Sequence, residues 1–558
     1  MHKLDWRKTM NNIKQKWNMI ICFVLCLIML AGCSSQPAQT STPDADATGT
    51  AQGMATTYYG TSGGGSEPVT SARDSVVFRL NAEISTLDPH KTSGTGNERI
   101  VQYQIFEPLF RIENFEGSTV SEVNNALCES YEYIDDENKV LQVKIRQNVK
   151  FHCGEPLTSR QVAYSLNRAK DAGYASIITD FIEKVEVVDD YTVNIYLTTA
   201  YGPIFRILGT GQLSIVCDTC CEEKGDDFGR EPCGTGPYVF EEWLTGDYIS
   251  MTAFEDYWRG PAAIKNGKFV IITDNSTSMI ALENGEVDVT NNLGDSDMPA
   301  VEANENLALS LSETLCAGGR CILLNTEDPD GVFSDVRMRQ AVAYAIDREA
   351  IIQLAYDGVG EPAYVTMVNT MPEFPQEWEG IPYDPEKAKA LIAEAGYPNG
   401  VTVSIPTIDS AVYSKATIAI QEQLAKVGIN LEIELMERAA WNERILTQKD
   451  YGITYWAIVL DYDDADAALY KFSSKNSNNY WNLKNDELDE LLEKGRVIEA
   501  GPERNAIYLR ALEIIDNEEC VVVHIQNPPR TMPHNVKLQG VVASPEQKYY
   551  FYNWYWAE

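Results

Sequence analysis

Histidine is scarce in this chain. Five occur in 558 residues, at His2, His90, His152, His524 and His534, and no two are spaced as a metal-ligand pair. The HExxH helix of zinc hydrolases is absent, as are the phosphate-cradling P-loop and the GxGxxG dinucleotide fingerprint. Gly60-Thr61-Ser62-Gly63-Gly64 fits the G-x-S-x-G pattern but lacks the strand before it and the helix after it that a nucleophile elbow needs. Acidic residues are too common to single out a catalytic pair. Basic residues are few: 45 against 82 acids, a formal charge of −37. A surface this acidic repels phosphate backbones, so no nucleic-acid partner is expected. No apolar run reaches the ~20 residues of a membrane-spanning helix. With 44% hydrophobic and 23% charged residues the composition is globular, and the length suits two to four domains. An α/β chain without a nucleophile, a base or a cofactor motif points to binding rather than catalysis, with no cofactor and no assigned metal ligands.

The first 32 residues carry five bases and one acid, followed by an apolar run from Met19 to Ala31. That length fits a signal-peptide core. The run ends in Leu30-Ala31-Gly32-Cys33, which resembles the bacterial lipobox. There the cysteine receives a diacylglycerol, so Cys33 is the expected lipidation site and 1–32 the expected lipoprotein signal peptide. Met10 is an alternative start. Residues 33–73, rich in Ser, Thr, Ala, Gly and Pro, read as a flexible tether.

Nine cysteines remain beyond Cys33: Cys128, Cys153, Cys217, Cys220, Cys221, Cys233, Cys316, Cys321 and Cys520. An odd number in an exported chain leaves at least one thiol unpaired or bonded to another molecule. Cys217-x-x-Cys220-Cys221, then Cys233, has metal-like spacing at its start. A loop disulfide, or thiols that stay reduced, is the plainer reading. Cys316 and Cys321 flank a turn-like Ala-Gly-Gly-Arg insert that a small disulfide could close.

Strand and helix signals alternate along the rest. Val76–Leu80 and Val140–Ile145 read as strands, and Val185–Val188 pairs with Thr192–Leu197 across Asp189-Asp190. Thr158 with Gln161 forms a capping box for a helix whose apolar face is Val162, Ala163, Leu166 and Ala169. Ser334 or Asp335, then Asp347 and Asp384-Pro385, open further helices. Val401–Ile408, a helix carrying Ile418, Leu424 and Val427, then Ile429–Leu435 predict a crossover within a mostly parallel sheet. Helices over 486–499 and 502–517 precede a strand at 521–525.

Several stretches together resemble the extracellular solute-binding proteins of the peptide/nickel type, family 5, from ABC import systems. They are Val143 to Thr158, Gly234-Thr235-Gly236-Pro237-Tyr238, Asp256-Tyr257-Trp258-Arg259-Gly260, Val336 to Ala341 with Ala345 to Arg348, and Asp384 to Ala388 with Glu394 to Tyr397. They fall in order along residues 76–552. Cys153 replaces a usual acid, and Arg160-Gln161 replaces a usual acidic pair; both read as surface changes. Where the family has a Trp-x-x-Asp-Tyr-x-Asp-Pro stretch, this chain has Ile458 to Ala465, keeping Asp461 and Tyr462.

The resemblance implies a two-lobed α/β periplasmic-binding-protein-like fold of type II, joined by a hinge. Lobe one would be 74–321 plus 521–558, with an inserted subdomain at about 111–202, and lobe two 322–520. It implies a peptide held between the lobes, its ammonium on Asp461, with Tyr462, Trp456, Tyr455, Trp441, Tyr480 and Trp481 lining pockets. It further implies a monomer that docks on an ABC permease with paired ATPases, anchored through Cys33 to the outer face of the cytoplasmic membrane. An oligosaccharide, a metal chelate or haem on the same scaffold, and a peptide receptor without transport, are the alternative readings.

Overall fold

The computed structural model describes residues 71–558 except 93–95, 114–120, 175–178, 292, 295–296, 316–318, 370, 376, 459, 461–463 and 545–546. The expected export signal, the tether up to residue 70, Cys33, Cys316, Asp461 and Tyr462 lie outside the described residues. The last residues assigned to the tether, 71–73, are instead held to the first sheet's core, with Ala72 N donating to the Trp556 carbonyl (3.1 Å) and Arg73 paired with Asp288 (2.7 Å). Among the described residues no helix is long and apolar enough to cross a membrane.

A seven-stranded sheet anchors the first lobe. Its order is Leu307–Leu315, Pro529–Asn535, Val289–Thr290, Ser75–Leu80, Asn266–Ile271, Tyr248–Ala253, Tyr238–Leu244. Ser75–Leu80 runs parallel to both neighbours, while the other pairings are antiparallel. Val76, Phe78 and Leu80 are buried, and so is Arg79 on the opposite face. Arg79 is tolerated because its guanidinium donates to the Ile272 carbonyl (2.6 Å), the Asn291 carbonyl (3.1 Å) and Asn275 Oδ1 (3.0 Å). The chain's end closes this core: Phe551 stacks 5.0 Å from Phe269, and Trp556 donates its indole N–H to the Ser75 carbonyl.

A second, antiparallel sheet lies within the insert, ordered Cys128–Tyr133, Val140–Ile145, Thr192–Leu197, Ile182–Asp189. Helix Ser159–Ala172 carries the expected Thr158/Gln161 capping box. Gln161 is buried in making it, so this departure from the family pattern is not a surface change. Val162 and Leu166 join Leu141, Val143 and the seven-stranded sheet in one continuous core.

That core holds a pH-sensitive group. His90 Nε2 donates to the Ser214 carbonyl (2.9 Å), while its Nδ1 faces the Arg168 guanidinium at 2.8 Å. A guanidinium only donates, so Nδ1 is the acceptor, Nε2 carries the hydrogen and the ring is neutral. Burial and then the Arg168 charge push its pKa down to about 4, against the pull of Asp88. The unfolded chain takes up this proton near pH 6.5. Stability is therefore complete above 6.5 and falls as pH drops towards 4, by roughly 3 kcal/mol at ~1.4 kcal/mol per pH unit. Urea unfolding at pH 7 and pH 4.5 should show that loss, and His90→Gln should reduce the difference. Equal pH slopes in the two proteins would refute the assignment.

The second lobe is built on a four-stranded antiparallel sheet: Glu361–Pro362, Val522–Asn527, Arg320–Leu324, Ile453–Ala457. The strand at 522–527, grouped with lobe one on sequence, hydrogen-bonds here, and the next strand, Pro529–Asn535, belongs to the first lobe's sheet. The chain thus passes between sheets after Leu315 and again between Asn527 and Pro529. The expected crossover exists: Val401–Ile408 and Ile429–Met436 are parallel, with helix Ala411–Ala425 between them. They form a two-stranded unit, however, and the larger sheets are mixed or antiparallel. Local strand–helix–strand order fixed the parallel pair but not the neighbours brought from afar. Ile418 is 48% exposed; the buried face runs through Ala416, Ala419, Ile420 and Leu424. Asp335, Asp347 and Asp384 accept from backbone N–H groups as helix caps.

Candidate functional site

The strand Ile453–Ala457 leads into the Asp461 segment, and its alternation sorts the aromatic candidates. Ile453 and Tyr455 face one core, and Trp456 packs on the other. Tyr455 is buried with its hydroxyl bonded to that of Tyr356. Trp441 is buried too, donating to Thr454 Oγ1 (3.2 Å) and the Pro406 carbonyl (3.3 Å). Trp481 is buried against Phe472, ring centroids 4.0 Å apart. These three side chains are core. Trp456 and Tyr480 are half-buried neighbours, 5.7 Å apart edge to face, with Trp456 backed by Trp441 at 5.6 Å.

Beyond the Asp461 segment the acidic run is not a solvated loop. Asp464 and Asp466 are both buried. Asp464 caps helix Ala465–Leu469 and takes a 2.6 Å bond from Arg504 Nη2. Arg504 also pairs with Glu373 and donates to the Gly495 carbonyl. Burial works against the Arg504 charge, but Asp464 and Glu373 more than offset it and hold its pKa above the ordinary value. Burial and the Asp464 charge push the Glu373 carboxyl up.

Asp466 reaches across to the first lobe. It accepts from the Tyr201 hydroxyl at 2.7 Å and from Arg496 Nη2 at 3.1 Å. The Arg496 guanidinium lies 3.4 Å from the Tyr470 ring centroid and 4.9 Å from that of Phe181, which stacks on Tyr201 at 3.5 Å. Gly202 N donates to the Arg496 carbonyl (2.9 Å). In sequence a run of acids reads as solvated; only the fold places on it an arginine distant along the chain.

On the first lobe two motifs converge on one buried carboxylate. Glu107 accepts from Thr235 Oγ1 (3.1 Å), the Tyr257 hydroxyl (2.8 Å) and the Trp258 indole (3.0 Å). Gly234 and Gly236 let this happen, since a Cβ on either would lie 2.1 or 2.6 Å from Ile105 backbone atoms. The motif arginines also tie structure together. Arg339 binds the Phe333 and Glu519 carbonyls, and Arg348 binds those of Ala363 and His524.

Two lobes joined by two chain crossings are the architecture of a solute-binding protein. The chain belongs to the bacterial extracellular solute-binding proteins, family 5, whose middle region matches residues 122–480. It is 29% identical over 499 residues to the glutathione-binding protein GsiB of Shigella flexneri, covering 86% of this chain and 94% of that one. The structure of HbpA2 from Haemophilus parasuis superposes with a TM-score of 0.78 at 26% identity, covering 87% of this chain and all of that one. The periplasmic binding protein DppA of Helicobacter pylori, in complex with the peptide STSA, gives a TM-score of 0.72 at 25% identity, with 87% and 98% covered. The two-lobed α/β fold and the solute-binding role within ABC transport follow from this membership.

Proposed function

We propose that the chain is the substrate-binding lipoprotein of an ABC importer that captures short peptides between its lobes and delivers them to a permease driven by paired ATPases. The observation that carries this reading is the half-buried Trp456–Tyr480 pair, with Trp456 on the strand Ile453–Ala457 that precedes the Asp461 segment. Aromatic walls hold a ligand with little loss of side-chain entropy, and an extended peptide can pair its backbone irrespective of sequence. Asp461 holds the peptide ammonium, with Tyr462 next to it. Peptide chemistry recurs among the relatives: one is named for glutathione, a γ-linked tripeptide, and another was solved with a tetrapeptide. Lobe one comprises 74–315 with the end of the chain from about 529, and lobe two 320–527. The protein acts as a monomer held by lipid on Cys33 to the outer face of the cytoplasmic membrane.

Native mass spectrometry of the mature chain, purified without denaturation, should reveal bound peptides of one narrow length. Asp461→Ala should weaken their binding by roughly 30-fold or more, the lower end of what removing one partner of a desolvated charge pair costs. N-acetylating the peptide should weaken binding to the native protein to a similar degree and add little to the variant. Full affinity for the acetylated peptide would remove Asp461 from this role. Absence of any peptide adduct, with thermal stabilisation by an oligosaccharide or a metal chelate, would replace the peptide reading.

A further inference from the structure

Outside the interlobe region, four of the cysteines converge. Cys153 lies in the turn that follows strand Val140–Ile145, Cys217 caps helix Asp218–Lys224, Cys220 lies on that helix, and Cys233 immediately precedes Gly234-Thr235-Gly236. Their sulfurs all lie within 4.8 Å of one another. The Cys153 and Cys217 sulfurs are 3.7 Å apart. Four thiolates placed tetrahedrally at a zinc–sulfur distance of about 2.3 Å are about 3.8 Å apart, so this pair stands at coordination spacing. All four are free thiols, three buried and Cys153 exposed.

We propose that Cys153, Cys217, Cys220 and Cys233 form a structural zinc site. The site differs from the one suggested by spacing alone. Cys221, adjacent in sequence, stays outside the group, and Cys153, from a different segment, completes it.

The surroundings suit a thiolate cluster. The Cys220 backbone N–H points at Cys217 Sγ from 3.4 Å, a donor that stabilises negative sulfur. A tetrathiolate zinc carries a net charge of −2, and Glu155, with one oxygen 3.4 Å from Cys217 Sγ, adds to it. Arg160 offsets this by pairing with both Glu155 and Asp218. His152 is adjacent but engaged: Nε2 faces the Gly236 carbonyl at 2.9 Å, and Nδ1 faces the Gly234 N–H at 3.4 Å. Both ring nitrogens are therefore committed to backbone, which leaves a four-sulfur donor set. Such sets select zinc or iron among common metals, and zinc, having no redox chemistry, suits a structural tie in an exported protein. Binding releases the thiol protons and leaves no thiol of the four open to disulfide formation. The metal would tie three segments together: the turn of the insert, the helix start, and the loop that sets Thr235 against Glu107.

The full chain, purified with a reductant and without chelators, should contain one zinc per molecule by elemental mass spectrometry. A mercurial that titrates thiols should release it. Cobalt substituted for zinc should show thiolate-to-metal charge transfer and intense tetrahedral d–d bands that saturate at one equivalent. Cys153→Ser and Cys217→Ser should lose the metal, and Cys221→Ser should keep it. Should the serine variants fail to fold, cobalt titration of the unaltered chain decides. No thiolate band, iron in place of zinc, or disulfide-linked peptides joining these four cysteines in the untreated protein would each overturn the assignment.

Discussion

Replacing Arg504 with methionine should destabilise the second lobe by about 3–5 kcal/mol, the usual cost of removing one member from a buried ion cluster. The side chains of Arg504, Glu373 and Asp464 are only 1%, 0% and 5% exposed. Once the guanidinium is gone, two carboxylates stay buried without the charge that pairs them. One must take up a proton, and Glu373, already pushed up by burial and by Asp464, is the one that will. The damage extends to the helix Ala465–Leu469, which Asp464 caps. Urea unfolding at neutral pH reads the loss. Adding Glu373→Gln and Asp464→Asn to Arg504→Met should recover part of it, since neutral amides cost less to bury than unpaired carboxylates. A single variant within 1 kcal/mol of the native protein would show that water already solvates the cluster.

Sequence made the local elements legible and left the long-range ones dark. The Thr158/Gln161 capping box, the aspartate caps at 335, 347 and 384, and the parallel pair around helix Ala411–Ala425 stand where chemistry within a few residues places them. The mixed sheets depend on partners hundreds of residues apart, such as Leu307–Leu315 with Pro529–Asn535. The same division runs through the site. Tyr455, Trp441 and Trp481 have the residue type of a binding pocket, yet burial is set by tertiary neighbours, and these three are core. Family motifs proved to be scaffolding: Gly234 and Gly236 permit a close backbone approach, and Thr235, Tyr257 and Trp258 share one carboxylate. Cys153, read as a surface change, is exposed, yet its sulfur sits beside that of Cys217, 64 residues away.

Gly202→Val should leave both lobes folded and lower affinity for the captured ligand by at least about tenfold. Gly202 N bonds the Arg496 carbonyl, and a Cβ at Gly202 would lie 2.3 Å from the Ile498 carbonyl oxygen. The nearest obstructing atoms are all backbone of the second lobe, so no side chain can rotate away to make room. The lobes must instead move apart at this point, which also lengthens the Tyr201–Asp466 bond. A ligand held between lobes draws its affinity from the closed state, and a tenfold loss needs only ~1.4 kcal/mol against closure, less than one unrelieved backbone overlap costs. Tyr201→Phe is the milder companion. It removes one hydroxyl donor from a buried carboxylate without adding bulk and should cost about 1–3 kcal/mol of the same contact. Small-angle scattering with and without ligand separates closure from folding. The valine variant should keep the native unfolding transition while failing to compact when ligand is added. Native affinity and native compaction in Gly202→Val would mean that the Tyr201–Asp466 contact belongs to both states of the protein, and closure would then have to be sought nearer Trp456 and Tyr480.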